Sequence, residues 1–99
     1  MPVKNIVETI RDTIAEEMRR DARVVITGED VGPRGGVFRA TQGLYNEFGP
    51  ERVIDSPLSE SSIIAVGIGM ALHGLRPICE IQFADFIYPA MNQIVSEAA

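Results

Sequence analysis

Asp55-Ser56-Pro57-Leu58-Ser59-Glu60-Ser61-Ser62, running into Ile63-Ile64-Ala65-Val66-Gly67-Ile68-Gly69-Met70-Ala71, decides how the rest of the chain is read. It reads as a strand end, a turn around Pro57, and a helix whose first turn presents the acid Glu60. From Ile63 to Leu72 no polar side chain interrupts the helix, a pattern that predicts burial on every side. An acid at the mouth of a buried helix can be held against a ligand in a low-dielectric site. The same residues have a simpler reading. Ser59 is a good N-cap, and an acid in a first turn complements the helix dipole. Taken alone, the capping reading is the stronger one; the neighbouring segments shift the balance.

Downstream, His73-Gly74 ends the apolar helix, and Arg76 to Phe83, centred on Pro77-Ile78-Cys79-Glu80-Ile81, reads as a strand. Ala84 to Tyr88 leaves that strand, and Pro89 opens a final helix, since proline is favoured in a first helical turn. Upstream, Arg52-Val53-Ile54-Asp55 is a strand, and Gln42 to Phe48 is a short helix stopped by Gly49-Pro50. Val24-Val25-Ile26 is a β-branched run suited to a strand covered on both faces. It leads into the turn-rich loop Gly28–Gly36. From Asn5 to Arg20, Ile6, Ile10, Ile14 and Met18 recur every fourth position among charged residues, the pattern of an amphipathic helix. Strands alternating with helices predict an α/β fold with a parallel sheet and helices on both faces. Ligands of such sheets bind beyond the carboxyl ends of the strands. The loops Gly28–Gly36, Ser56–Glu60 and Gln82–Tyr88 lie there, so Glu29, Glu60, Phe83, Phe86 and Tyr88 are expected to share one rim.

Composition narrows the function classes. The chain has 99 residues, enough for one small domain, with 45% hydrophobic and 23% charged residues and no repeat. A net charge of -5 without a basic cluster argues against nucleic-acid binding. A single cysteine, Cys79, rules out a disulfide framework or a thiolate metal site, and no metal ligand set is predicted. No apolar run reaches the ~20 residues of a membrane span. Met1-Pro2-Val3-Lys4-Asn5 has no leader pattern, so a cytoplasmic location is the expectation. Gln93-Ile94-Val95-Ser96-Glu97-Ala98-Ala99 has no helix stop signal, and the sequence reads as cut within a helix.

Five segments in this order carry a resemblance: Gly28-Glu29-Asp30-Val31, Gly35-Gly36-Val37-Phe38-Arg39-Ala40-Thr41, Pro57-Leu58-Ser59-Glu60, Gly67-Ile68-Gly69-Met70-Ala71, and Glu80-Ile81-Gln82-Phe83-Ala84-Asp85-Phe86-Ile87-Tyr88-Pro89-Ala90. Together they resemble the β subunit of the E1 component of 2-oxo acid dehydrogenase complexes, which are thiamine-diphosphate-dependent enzymes. The likeness runs from the first helix to Ala99. It implies that residues 1–99 are the N-terminal part of a transketolase-like pyrimidine-binding domain. Glu60 falls on the family's activating glutamate, whose carboxylate hydrogen-bonds the aminopyrimidine and so promotes loss of the thiazolium C2 proton. Phe86 falls on the aromatic residue that stacks on that ring, while Gln82, Glu29 and Leu58 match positions lining the pocket. Tyr88 reads equally as pocket wall or interface packing.

The resemblance further implies a partner α subunit carrying the pyrophosphate and Mg2+ site, a second β subunit, and an E2 acyltransferase core reached through a C-terminal region. Gln82 to Pro89 looks closer to branched-chain enzymes than to pyruvate ones. As a partial domain, the 99 residues are expected to be inactive alone and to expose apolar surface around Ile63–Leu72. Other residues invite simpler readings. The glycines of the apolar helix permit close packing, His73 is a helix-end residue, Cys79 is a buried strand residue, and Arg39 either binds an acid or ends a loop. The competing class is a short non-catalytic α/β module that assembles with, or regulates, other proteins.

Overall fold

The computed structural model describes residues 3–99. Met1 and Pro2, the start of the stretch read above for a leader, lie outside the described residues. The first helix, α1 (Ile6–Arg20), opens on a capping box: Asn5 Oδ1 accepts the Glu8 amide at 2.8 Å while Glu8 takes the Asn5 amide. Its apolar stripe is used only in part. Met18 is fully buried, whereas Ile6 and Ile10 remain exposed, because the sheet lies beneath the C-terminal half alone.

Strand β1 (Val24–Glu29) is followed by helix α2 (Leu44–Phe48), strand β2 (Val53–Ser56), helix α3 (Glu60–Leu72) and strand β3 (Arg76–Glu80). The three strands form a parallel sheet in the order β2-β1-β3, as the alternating pattern predicts. In register, Ile26 lies between Val53 and Ile78, and Thr27 lies between Ile54 and Cys79. The period of two then sorts the faces. Val24, Ile26 and Val53 join Ala15, Met18, Val31 and Leu44 in a core under α1 and α2. On the other face α3 packs against β3, and no room is left between them at Gly67, where a methyl group would collide with Cys79 Sγ.

The ends of the elements depart from the expectations, each for a local reason. β1 is longer than its β-branched run because Thr27, Gly28 and Glu29 are still paired to β2. Gly28 is obligatory there, since a Cβ would stand 2.9 Å from Val31 and 3.0 Å from Glu80. β3 stops at Glu80, short of Phe83: beyond Gly28, its last partner, the chain turns away at Asp30, which adopts φ 58°. Pro89 does not open a helix. It sits inside a 3-10 segment, Ala84–Ala90, in which Phe86 N donates to Phe83 O at 2.9 Å. A proline ring clashes with the i−4 carbonyl of an α-helix, and this tighter winding meets that restriction. The final stretch, Gln93–Ala98, is π-helical.

Arg52 joins α1 to the sheet. Its Nη2 donates to the carbonyls of Met18 (2.6 Å), Asp21 (3.0 Å) and Val24 (2.8 Å), the first of them a last-turn carbonyl of α1. The guanidinium also lies 4.9 Å from the Phe48 ring centroid. Among the described residues no helix is long and apolar enough to cross a membrane.

Candidate functional site

Glu60 is the first residue of α3, and Ser59 is its N-cap, the side chain accepting from Ser62 N at 3.4 Å. The capping reading of Ser59 therefore holds alongside any role of Glu60. The helix is not buried on every side, and the apolar surface expected to be exposed around Ile63–Leu72 is present. Ile63 and Gly67 are buried, but Val66 is 49% and Leu72 84% exposed, because one sheet covers one side only. Glu60 is correspondingly part-exposed.

Three ties gather the rim. Ser61 Oγ donates to the Pro89 carbonyl at 2.6 Å, fastening the first turn of α3 to the segment that carries Phe86. Gln82 Nε2 donates to the Glu29 carbonyl at 3.4 Å, holding the residues after β3 against the end of β1. Phe83 and Phe86 pack edge to face, their centroids 5.3 Å apart. Glu29 and Gln82 are thus in direct contact. Leu58 stands exposed in the turn before α3, and Tyr88 is exposed on the 3-10 segment.

The remaining polar candidates have structural employment. Arg39 ends the loop in the left-handed region (φ 64°), and its Nη1 donates to the carbonyls of Arg34 (2.7 Å) and Gly36 (3.1 Å). His73 is the C-cap of α3. Cys79 lies under α3, and burial pushes its thiol pKa up, away from the reactive thiolate. A cleft of about 320 Å³ lined by Asp30, Arg34, Gly36, Val37 and Arg39 includes neither Glu60 nor Phe86.

Two residues near the rim had no role in the sequence reading. Phe38 packs on Phe83 with centroids 5.2 Å apart. Glu80, last in β3, has a buried Oε2 without a hydrogen-bond partner among the described residues, and burial raises its carboxyl pKa. A methyl group on Gly36 would stand 3.7 Å from both Glu80 oxygens. Aromatic enrichment could have flagged Phe38, but nothing local marks an acid at a strand end as unpaired.

The sequence profile of the transketolase pyrimidine-binding domain matches residues 4–99. The chain belongs to that family. Among curated relatives of this pyrimidine-binding-domain chain, the 2-oxoisovalerate dehydrogenase subunit beta of Bacillus subtilis (strain 168) is 61% identical over 99 residues, all of this chain and 30% of that protein. The protein of the same name from Pseudomonas aeruginosa is 50% identical over 95% of this chain and 27% of its own length. The pyruvate dehydrogenase E1 component subunit beta of Bacillus subtilis (strain 168) is 44% identical over the whole chain and 30% of its length. The chain thus spans less than a third of these relatives.

The residues present fit a pyrimidine ring. Phe86 offers a part-exposed aromatic face, Glu60 offers a carboxylate, and the Ser61–Pro89 bond ties their elements together. A diphosphate-bound metal is a different matter. Among the described residues no group of three or more His, Cys, Asp or Glu is placed to hold an ion.

Proposed function

We propose that this chain is the N-terminal part of the E1 β subunit of a 2-oxo acid dehydrogenase complex, with residues 1–99 forming the first part of its pyrimidine-binding domain. The observation that carries the reading is the fastening of α3, with Glu60 at its start, to the segment bearing Phe86. The names of the relatives support it. Glu60 accepts a hydrogen bond from the aminopyrimidine and shares a proton with its ring nitrogen. Phe86 stacks on the ring, Leu58 supplies apolar contact, and Gln82 and Glu29 line the wall. When bound, thiamine diphosphate supplies the electron sink through which a 2-oxo acid loses carbon dioxide. A partner α subunit holds the pyrophosphate and Mg2+, a second β subunit completes a heterotetramer, and later residues of the protein dock on the E2 core and allow transfer to lipoamide. The assembly works in the cytoplasm, and the 99 residues alone are inactive.

The substrate is a branched-chain 2-oxo acid in preference to pyruvate. Identity of 61% to the 2-oxoisovalerate enzyme, against 44% to the pyruvate enzyme of the same organism, supports this order. The test is decarboxylation by the full-length αβ pair. We expect a higher kcat/KM for 3-methyl-2-oxobutanoate than for pyruvate. Equal or better use of pyruvate overturns the substrate preference. Failure with every 2-oxo acid in the presence of thiamine diphosphate and Mg2+ overturns the function and favours a non-catalytic module.

A further inference from the structure

Three phenylalanines from two separate stretches form a continuous row beside the candidate site. Phe38 meets Phe83 at 5.2 Å between centroids and 72° between planes, and Phe83 meets Phe86 at 5.3 Å and 71°. Both contacts have the edge-to-face geometry that the ring quadrupole favours. The row is not core: Phe38, Phe83 and Phe86 are 51%, 47% and 39% exposed.

Phe38 is delivered by a loop whose backbone is costly to hold. Asp30 and Arg39 both occupy the left-handed region (φ 58° and 64°), where residues with a side chain are strained. Side chains fix this conformation from several directions. Asp55 Oδ1 accepts the Gly32 amide at 2.7 Å, Thr41 Oγ1 donates to the Val31 carbonyl at 2.9 Å inside the core, and Arg39 spans the loop carbonyls. Such a loop presents Phe38 as a fixed buttress, and Phe83 passes that constraint to Phe86.

We infer that Phe38 is a positioning residue for the aminopyrimidine, acting through Phe83 to fix the orientation of the Phe86 ring before the ligand arrives. The inference rests on the proposed reading of Phe86 as the stacking face. Ring freedom removed in advance is not lost on binding, so its effect falls on affinity for the cofactor and not on the chemical step.

The experiment is a double-mutant cycle in the full-length β subunit assembled with its α subunit. It measures the dissociation constant of thiamine diphosphate by titration with Mg2+ present, and turnover at saturating cofactor. Phe38→Leu should weaken binding about 3- to 10-fold, the scale of one aromatic pair, with saturated turnover kept within about twofold. Phe38→Tyr, which keeps the ring, should restore affinity, and Phe38→Leu should have no effect in a Phe86→Leu background. Unchanged affinity in Phe38→Leu overturns the inference, as does an equal loss in both backgrounds. If Phe38→Leu does not assemble, Phe83→Leu breaks the row at its centre and must show the same dependence on Phe86. If Phe86→Leu itself binds the cofactor as the unaltered enzyme does, the stacking reading fails, and the inference falls with it. If Phe86→Leu weakens binding and Phe38→Leu does not, the inference alone fails.

Discussion

Glu80 shows how one side chain can set a pH dependence. One carboxylate oxygen is buried without a donor among the described residues, and desolvation raises the pKa above its ordinary 4.5. The folded chain therefore holds the Glu80 proton more tightly than the unfolded chain does. Its contribution to stability is complete below the unfolded pKa and is lost as pH rises through the folded one. Above that window an ionised, unpaired oxygen opposes folding. Glu80→Gln removes the titration and keeps the shape. We expect a Tm a few degrees above that of the unaltered chain at pH 8, with the gap closing near pH 4. Thermal melts of both proteins at the two pH values check this, and a gap independent of pH would contradict the assignment.

At the scale of elements, α3 and its seat on β3 carry the site. Gly67 allows the helix to lie directly on Cys79, so the distance from helix to sheet depends on one missing methyl group. Gly67→Ala should destabilise the protein by about 1–3 kcal/mol, the usual cost of overpacking, even though alanine is the better helix former. Cys79→Ala in the same protein should recover most of the loss; denaturant unfolding of the single and double variants decides it. The sequence made α3, its Ser59 cap and the three strands readable because those signals are local. It misled on Pro89, and the apolar pattern of α3 taken by itself overstated burial. That pattern reads as burial on every side, yet the sheet covers one side only, in line with the exposed apolar surface expected around Ile63–Leu72. Pro89 suits a helix start equally well as a 3-10 turn, and the bonds of Phe86 N to Phe83 O and of Met91 N to Tyr88 O distinguish them. Arg52 and Phe38 stayed silent for a further reason. Their partners, Met18 and Phe83, are distant in sequence, and no periodicity links them.

Taken together, the described residues form a three-stranded parallel sheet that leaves part of α3 uncovered, with Val66 and Leu72 exposed. Open apolar faces of this kind associate. The 99-residue chain by itself should show concentration-dependent self-association by sedimentation at roughly 10–100 µM, reduced by Leu72→Asp. A monomer across that range would contradict it. The rim was legible because parallel sheets place the loops that follow their strands at one end; of the five family segments, Gly67–Ala71 lies instead within α3. On that rim Glu60 is the residue proposed to move a proton. The measurement that tests this role most directly is deuterium exchange at C2 of thiamine diphosphate bound to the full-length αβ enzyme carrying Glu60→Gln. We expect an assembled enzyme that still binds the cofactor but exchanges this proton at least about 100-fold more slowly. Exchange at the rate of the unaltered enzyme would contradict it.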